Sequence, residues 1–136
     1  MSRKRILIVM AAGSGVRMGA TVPKQFLDLG GVPILRRTIE AFISVVPDIK
    51  VVTVLPGDHI AFWKDYCLVS DFNCPQTLVS GGFTRFHSVR NALKKVPDGA
   101  VVAIHDGVRP LLSPKLIGNM FERMDSGGVR ALIPVI

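Results

Sequence analysis

Apolar residues come in short blocks separated by glycine, proline and polar residues, and the spacing inside the blocks changes along the chain. Ile6 to Met10 is an unbroken apolar run of strand length. Leu35, Ile39, Phe42, Ile43 and Val46 then recur at helical spacing until Pro47 stops them. Lys50 to Leu55 (KVVTVL), rich in valine and bounded by Pro56 and Gly57, predicts a second strand. A helix is expected from about Asp58 to Leu68, with Phe62, Trp63 and Tyr66 as packing residues, and Gln76 to Ser80 reads as a short third strand. Past Gly81 and Gly82, the residues Phe86, Val89, Leu93 and Val96 mark one face of a helix, with Thr84 as its cap. Ala100 to His105 (AVVAIH) predicts a fourth strand, apolar enough to be buried on both faces. Ser113 is an N-cap followed by proline at the first helical position; Leu116, Ile117, Met120, Phe121 and Met124 supply the apolar face, and Gly127 and Gly128 close the helix. Val129 to Ile136 begins a fifth strand, and because the chain stops inside this apolar run, a C-terminal part is expected to be missing.

Alternation of this kind implies right-handed crossovers and a mainly parallel sheet with helices on both faces. The fold class expected is therefore α/β, a Rossmann-like three-layer sandwich formed by one nucleotide-binding domain over 1–136. No internal repeat, low-complexity segment or linker interrupts it. Loops that follow parallel strands gather at one sheet edge, where open α/β sheets place their ligands. That gathering is expected to bring Gly13, Gly15, Arg17, Lys24, Gly82, Ser88, Asp106 and Arg109 within reach of one bound nucleotide.

Composition narrows the class further. A chain of 136 residues suits one domain, and 49% hydrophobic with 20% charged residues excludes disordered and fibrous classes. The apolar runs are strand-sized, so no membrane partner is expected, and the basic start runs into glycines and Arg17, which makes a poor signal peptide and a good first strand. Cys67 and Cys74 read as reduced, partly buried thiols, from which a cytoplasmic protein is expected. The net charge of +7 invites a nucleic-acid reading. The basic residues are nevertheless spread along the chain, with several in loops after strands, which favours a small anion over a nucleic acid polymer.

The candidate chemistry starts in the first loop. Gly13, Gly15 and Gly19 follow the first strand, accompanied by Arg17 and, further on, Lys24. Residues without a Cβ let backbone N–H groups turn toward an anion, and the two cations neutralise its remaining charge. A dinucleotide fingerprint would need glycine where Met18 stands, and a Walker loop would need Lys-Ser or Lys-Thr after Gly19, where Ala20 and Thr21 stand. Gly81 and Gly82 beside a helix N-terminus offer a second place for an anion or a nucleotide oxygen. Asp106 and Arg109 lie in a Gly/Pro loop at a strand's carboxyl end, a position suited to ligand contact. His105 has two readings, general base or hydrogen-bonded structural residue.

Four motifs occur in order: AAGSGVRMG at 11–19, PKQF at 23–26, GG-x-x-R-x-x-SV at 81–89 and HDGVRP at 105–110. In this order the chain resembles the 2-C-methyl-D-erythritol 4-phosphate cytidylyltransferases of the non-mevalonate isoprenoid pathway, and the resemblance covers almost the whole of it. The resemblance implies a nucleotidyltransferase-type fold and transfer of a cytidylyl group from CTP to methylerythritol phosphate, with release of pyrophosphate and use of Mg²⁺. By that resemblance Arg17 and Lys24 would be catalytic, stabilising charge on the α-phosphate. Ala11, Ala12, Gly13, Gly15, Gly82 and Ser88 would hold the nucleotide, and Asp106 and Arg109 would face the second substrate. It also implies a homodimer in the full-length protein, and a further C-terminal segment carrying an intersubunit arm and a second catalytic lysine. A chain ending at Ile136 is therefore expected to be inactive alone. Phe83 stands where some relatives carry an acidic residue. The related ribitol 5-phosphate cytidylyltransferases, which share PKQF and a similar HD-x-VRP loop, are the alternative. A non-catalytic nucleotide-binding domain is the alternative of another class.

Overall fold

The structure, a computed structural model, describes residues 4–12, 28–29, 32–107 and 113–127. Its central sheet has the order β5-β4-β1-β6, built from β1 (Arg5–Met10), β4 (Lys50–Leu55), β5 (Gln76–Ser80) and β6 (Val101–Asp106), with every pairing parallel. A small antiparallel pair, β2 (Asp28–Leu29) with β3 (Val32–Pro33), precedes the first helix and was not expected from the sequence. The helices are α1 (Ile34–Val45), α2 (Ile60–Val69), α3 (Arg85–Leu93) and α4 (Pro114–Asp125), and a single 3-10 turn, Gly57–His59, leads into α2. The expected α/β layering is therefore present; the fifth strand expected over Val129 to Ile136 lies outside the described residues.

Period-two alternation along the strands separates two cores. Leu7, Val9 and Ala11 share one face with Val51, Leu55 and Val101, and pack under Leu35, Ile39 and Phe42 of α1, Trp63 of α2, and Ile117 and Phe121 of α4. Ile6, Ile8 and Met10 share the other face with Val52, Val54 and Val79, against Ala92 of α3. β1 sits between β4 and β6 and buries both its faces, which is why its sequence is continuously apolar rather than alternating.

Three sequence expectations need correction. The buried residues of α3 are Ser88 and Ala92, whereas Phe86 and Leu93 are 68% and 44% exposed. Val89 and Val96 of the expected face pack partly buried beside Ser88 and Ala92, and only Phe86 and Leu93 turn to solvent. The fourth strand is not buried on both faces: α3 packs mainly over β1, β4 and β5, leaving Ile104 of β6 45% exposed. Of the three aromatics in α2, Trp63 is fully buried and Tyr66 packs partly buried, but Phe62 is exposed. Trp63 stacks on Tyr66 with ring centroids 5.5 Å apart, and its Nε1 donates to Gln76 Oε1 at 3.0 Å.

Candidate active site

The carboxyl ends of all the strands in the sheet lie along one edge, and backbone hydrogen bonds carry the ladder beyond the strands into the loops. Ala11 N–H donates to Val54 O at 2.8 Å, Gly81 N–H to Leu55 O at 2.8 Å and Gly107 N–H to Met10 O at 2.9 Å. The first residues of the loops after β1, β5 and β6 are thus fixed side by side. Two of the glycines are needed for that closeness. A Cβ on Gly81 would stand 2.5 Å from the Ala12 Cβ and 3.2 Å from Ser88 Oγ, and one on Gly82 would stand 2.4 Å from the His87 Cβ.

Ser88 is buried beneath this loop and accepts a hydrogen bond from Gly82 N–H at 3.0 Å. The α3 N-terminus is capped as expected: Thr84 Oγ1 accepts from His87 N–H at 3.2 Å. Phe83, between Gly82 and the cap, is fully exposed. Opposite them, at the end of β6, Asp106 Oδ1 accepts from Arg85 Nη1 at 2.9 Å. Arg85 enters the sequence reading as the arginine of the GG-x-x-R-x-x-SV motif, with no role of its own. Its contact with Asp106 joins residues 21 apart in the chain through the fold, and no local signal announces it.

On the far side of the same edge, fully buried Thr38 of α1 places its hydroxyl 3.3 Å from the Gly107 carbonyl oxygen. His105 points to this side as well, with its ring edge-on to Phe42 and centroids 5.6 Å apart. Because neighbouring residues of a strand face opposite ways, His105 belongs to the α1 and α4 layer and Asp106 to the α3 side. The histidine ring therefore packs on the face away from Asp106, against Phe42 of α1.

Ala11, Ala12, Gly82, Ser88 and Asp106 are accordingly brought to one edge. Gly13, Gly15, Arg17, Lys24 and Arg109 lie outside the described residues. Among the described residues no group of three or more His, Cys, Asp or Glu side chains is placed to hold a metal ion, and no helix is long and apolar enough to cross a membrane.

The 2-C-methyl-D-erythritol 4-phosphate cytidylyltransferase (IspD) family model matches residues 5–136. The chain belongs to this family. A curated relative of that name from Porphyromonas gingivalis is 48% identical over 131 residues, covering 96% of this chain and 58% of its own length. One from Phocaeicola vulgatus is 44% identical over 132 residues, covering 97% and 59%. Among solved structures, 4-diphosphocytidyl-2C-methyl-D-erythritol synthase from Anaerococcus prevotii superposes with a TM-score of 0.70 at 27% identity, over 90% of this chain and 51% of that one. The bifunctional IspDF from Campylobacter jejuni gives 0.73 at 29%, over 90% and 31%. The family member thus spans well under two thirds of the length of the relatives it matches.

Proposed function

We propose that the protein transfers a cytidylyl group from CTP to 2-C-methyl-D-erythritol 4-phosphate, releasing pyrophosphate, as a step of non-mevalonate isoprenoid biosynthesis. The observation that carries this reading is the meeting of Ala12, Gly81 and Ser88 with the Asp106 strand end at one sheet edge, in a chain that belongs to this family. The relatives named above carry the methylerythritol phosphate name, so the ribitol phosphate alternative is not favoured.

In the reaction an oxygen of the methylerythritol phosphate attacks the α-phosphorus of CTP. One P–O bond forms, the bond to the β-phosphate oxygen breaks, and the electron pair leaves with pyrophosphate. Like charges approach, and negative charge gathers on the α-phosphate oxygens, so fixed cations do most of the work. In this reading Arg17 and Lys24 supply them, the backbone around Ala11 to Gly13, with Gly15 and Gly82, accommodates the nucleotide, and Asp106 and Arg109 face the second substrate. No protein nucleophile is required. Ser88 belongs to the same nucleotide set and also supports the loop from below through Gly82. Mg²⁺, when bound, would neutralise phosphate charge.

The protein is read as cytoplasmic and, at full length, as a homodimer, with CTP and methylerythritol phosphate rather than a nucleic acid polymer as its partners. A coupled pyrophosphate-release assay on the full-length protein tests the reading. Release with CTP and methylerythritol phosphate, and not with ribitol 5-phosphate, is expected; nucleotide binding without turnover would instead identify a non-catalytic domain.

A further inference from the structure

Arg85 is the first residue of α3, immediately after the Thr84 cap and three residues from Gly82. Its Nη1 crosses to Asp106 Oδ1 at 2.9 Å, so one ion pair spans from the loop supported by Ser88 to the end of β6. The two side chains are 61% and 32% exposed. An ion pair that open to water adds little to stability, so a fold-holding role is a poor account of it. What a charged hydrogen bond does at such a place is fix direction: it selects one carboxylate orientation among the rotamers open to an aspartate at a strand end.

We infer that Arg85 is a positioning residue, acting through Asp106 to orient the acceptor side of the site and to keep it in register with the nucleotide loop. The inference rests on the transferase reading above. Arg85 itself need not touch either substrate, and its effect should pass entirely through the aspartate.

Steady-state kinetics of the full-length protein with Arg85→Ala, Arg85→Lys, Asp106→Asn and the Arg85→Ala/Asp106→Asn double variant test this, with thermal melting as the control for folding. Arg85→Ala is expected to raise KM for methylerythritol phosphate about tenfold, with KM for CTP and Tm nearly unchanged, and Arg85→Lys to recover part of the loss. In the Asp106→Asn background the same arginine change should add less than about twofold, because the group it acts through is already altered. Equal effects in both backgrounds would overturn the inference, as would a rise confined to KM for CTP, which would make Arg85 a nucleotide contact. If Arg85→Ala does not fold, Arg85→Lys in the two backgrounds gives the same comparison. A wild-type protein that binds CTP but releases no pyrophosphate would overturn the transferase reading and this inference with it.

Discussion

Gly81 and Ala12 approach so closely that a Cβ on the glycine would stand 2.5 Å from the Cβ of the alanine. The neighbouring atom is a methyl on a backbone already bonded into the sheet, so neither side can yield cheaply. Gly81→Ala is therefore expected to push the loop off β1, costing about 1–3 kcal/mol of stability and weakening CTP binding at least about tenfold. Gly118 gives the opposite outcome: it lies inside α4, and an added Cβ would meet Val45 Cγ1 at an ordinary 3.6 Å. Gly118→Ala should stabilise the protein by about 1 kcal/mol with CTP affinity unchanged. Denaturant midpoints and calorimetric titration of the two variants check the contrast.

Gln76 Oε1 accepts from both Trp63 Nε1 at 3.0 Å and Thr53 Oγ1 at 2.6 Å, and both donors belong to fully buried residues. Removing the acceptor strands two donors at once. Gln76→Ala is expected to cost about 3 kcal/mol in chemical unfolding, whereas Gln76→Glu, which keeps an acceptor, should cost less.

Burial pushes the Cys74 thiol up to about 11, with Cys67 nearby adding to the effect, and burial also raises Cys67 against the opposing Gln76 hydrogen bond and Arg36 charge. A group whose pKa is higher folded than unfolded contributes stability below its unfolded value, near 9.0, and loses it as pH rises toward the folded value. Unfolding free energy should therefore fall between about pH 9 and pH 11, and a Cys67→Ala/Cys74→Ala variant should show a flatter profile. Alkylation at neutral pH should be slow in the native protein and fast in denaturant.

Arg17 and Lys24 carry the charge stabilisation in the proposed reaction. Arg17→Met and Lys24→Met in the full-length protein are expected to lower kcat by about two orders of magnitude or more, with smaller effects on KM. Near-normal turnover in either variant would reassign that residue to positioning surface charge.

The main architecture was legible because β1 is almost entirely apolar, β4 is rich in valine and bounded by Pro56 and Gly57, and α1 keeps a clean helical period ended by Pro47. Thr84 and Ser113 announced their helices by cap chemistry, and both side chains make the bonds expected of caps. Apolar periodicity held on α3 for Val89 and Val96 but failed for Phe86 and Leu93, for a definite reason. Close approach to the sheet selected Ser88 and Ala92 for the contact, so the largest apolar residues there carry no information about the buried face. Similarly, AVVAIH says nothing about how far α3 reaches across the sheet, and it is that reach which leaves Ile104 open. The candidate site was readable where glycine or a strand end marks it. The Arg85 to Asp106 bond was not, because tertiary structure alone brings those positions together.

The bonds from Gly81 N–H to Leu55 O and from Gly107 N–H to Met10 O fasten these parts of the rim to the strands before any ligand arrives. The conformational freedom that Gly81 and Gly107 would otherwise surrender on binding is thus already surrendered in folding. At these two positions the cost of ordering is met before a ligand arrives, and the amides of Gly81 and Gly107 should exchange with solvent only as fast as the sheet edge itself opens, with or without nucleotide.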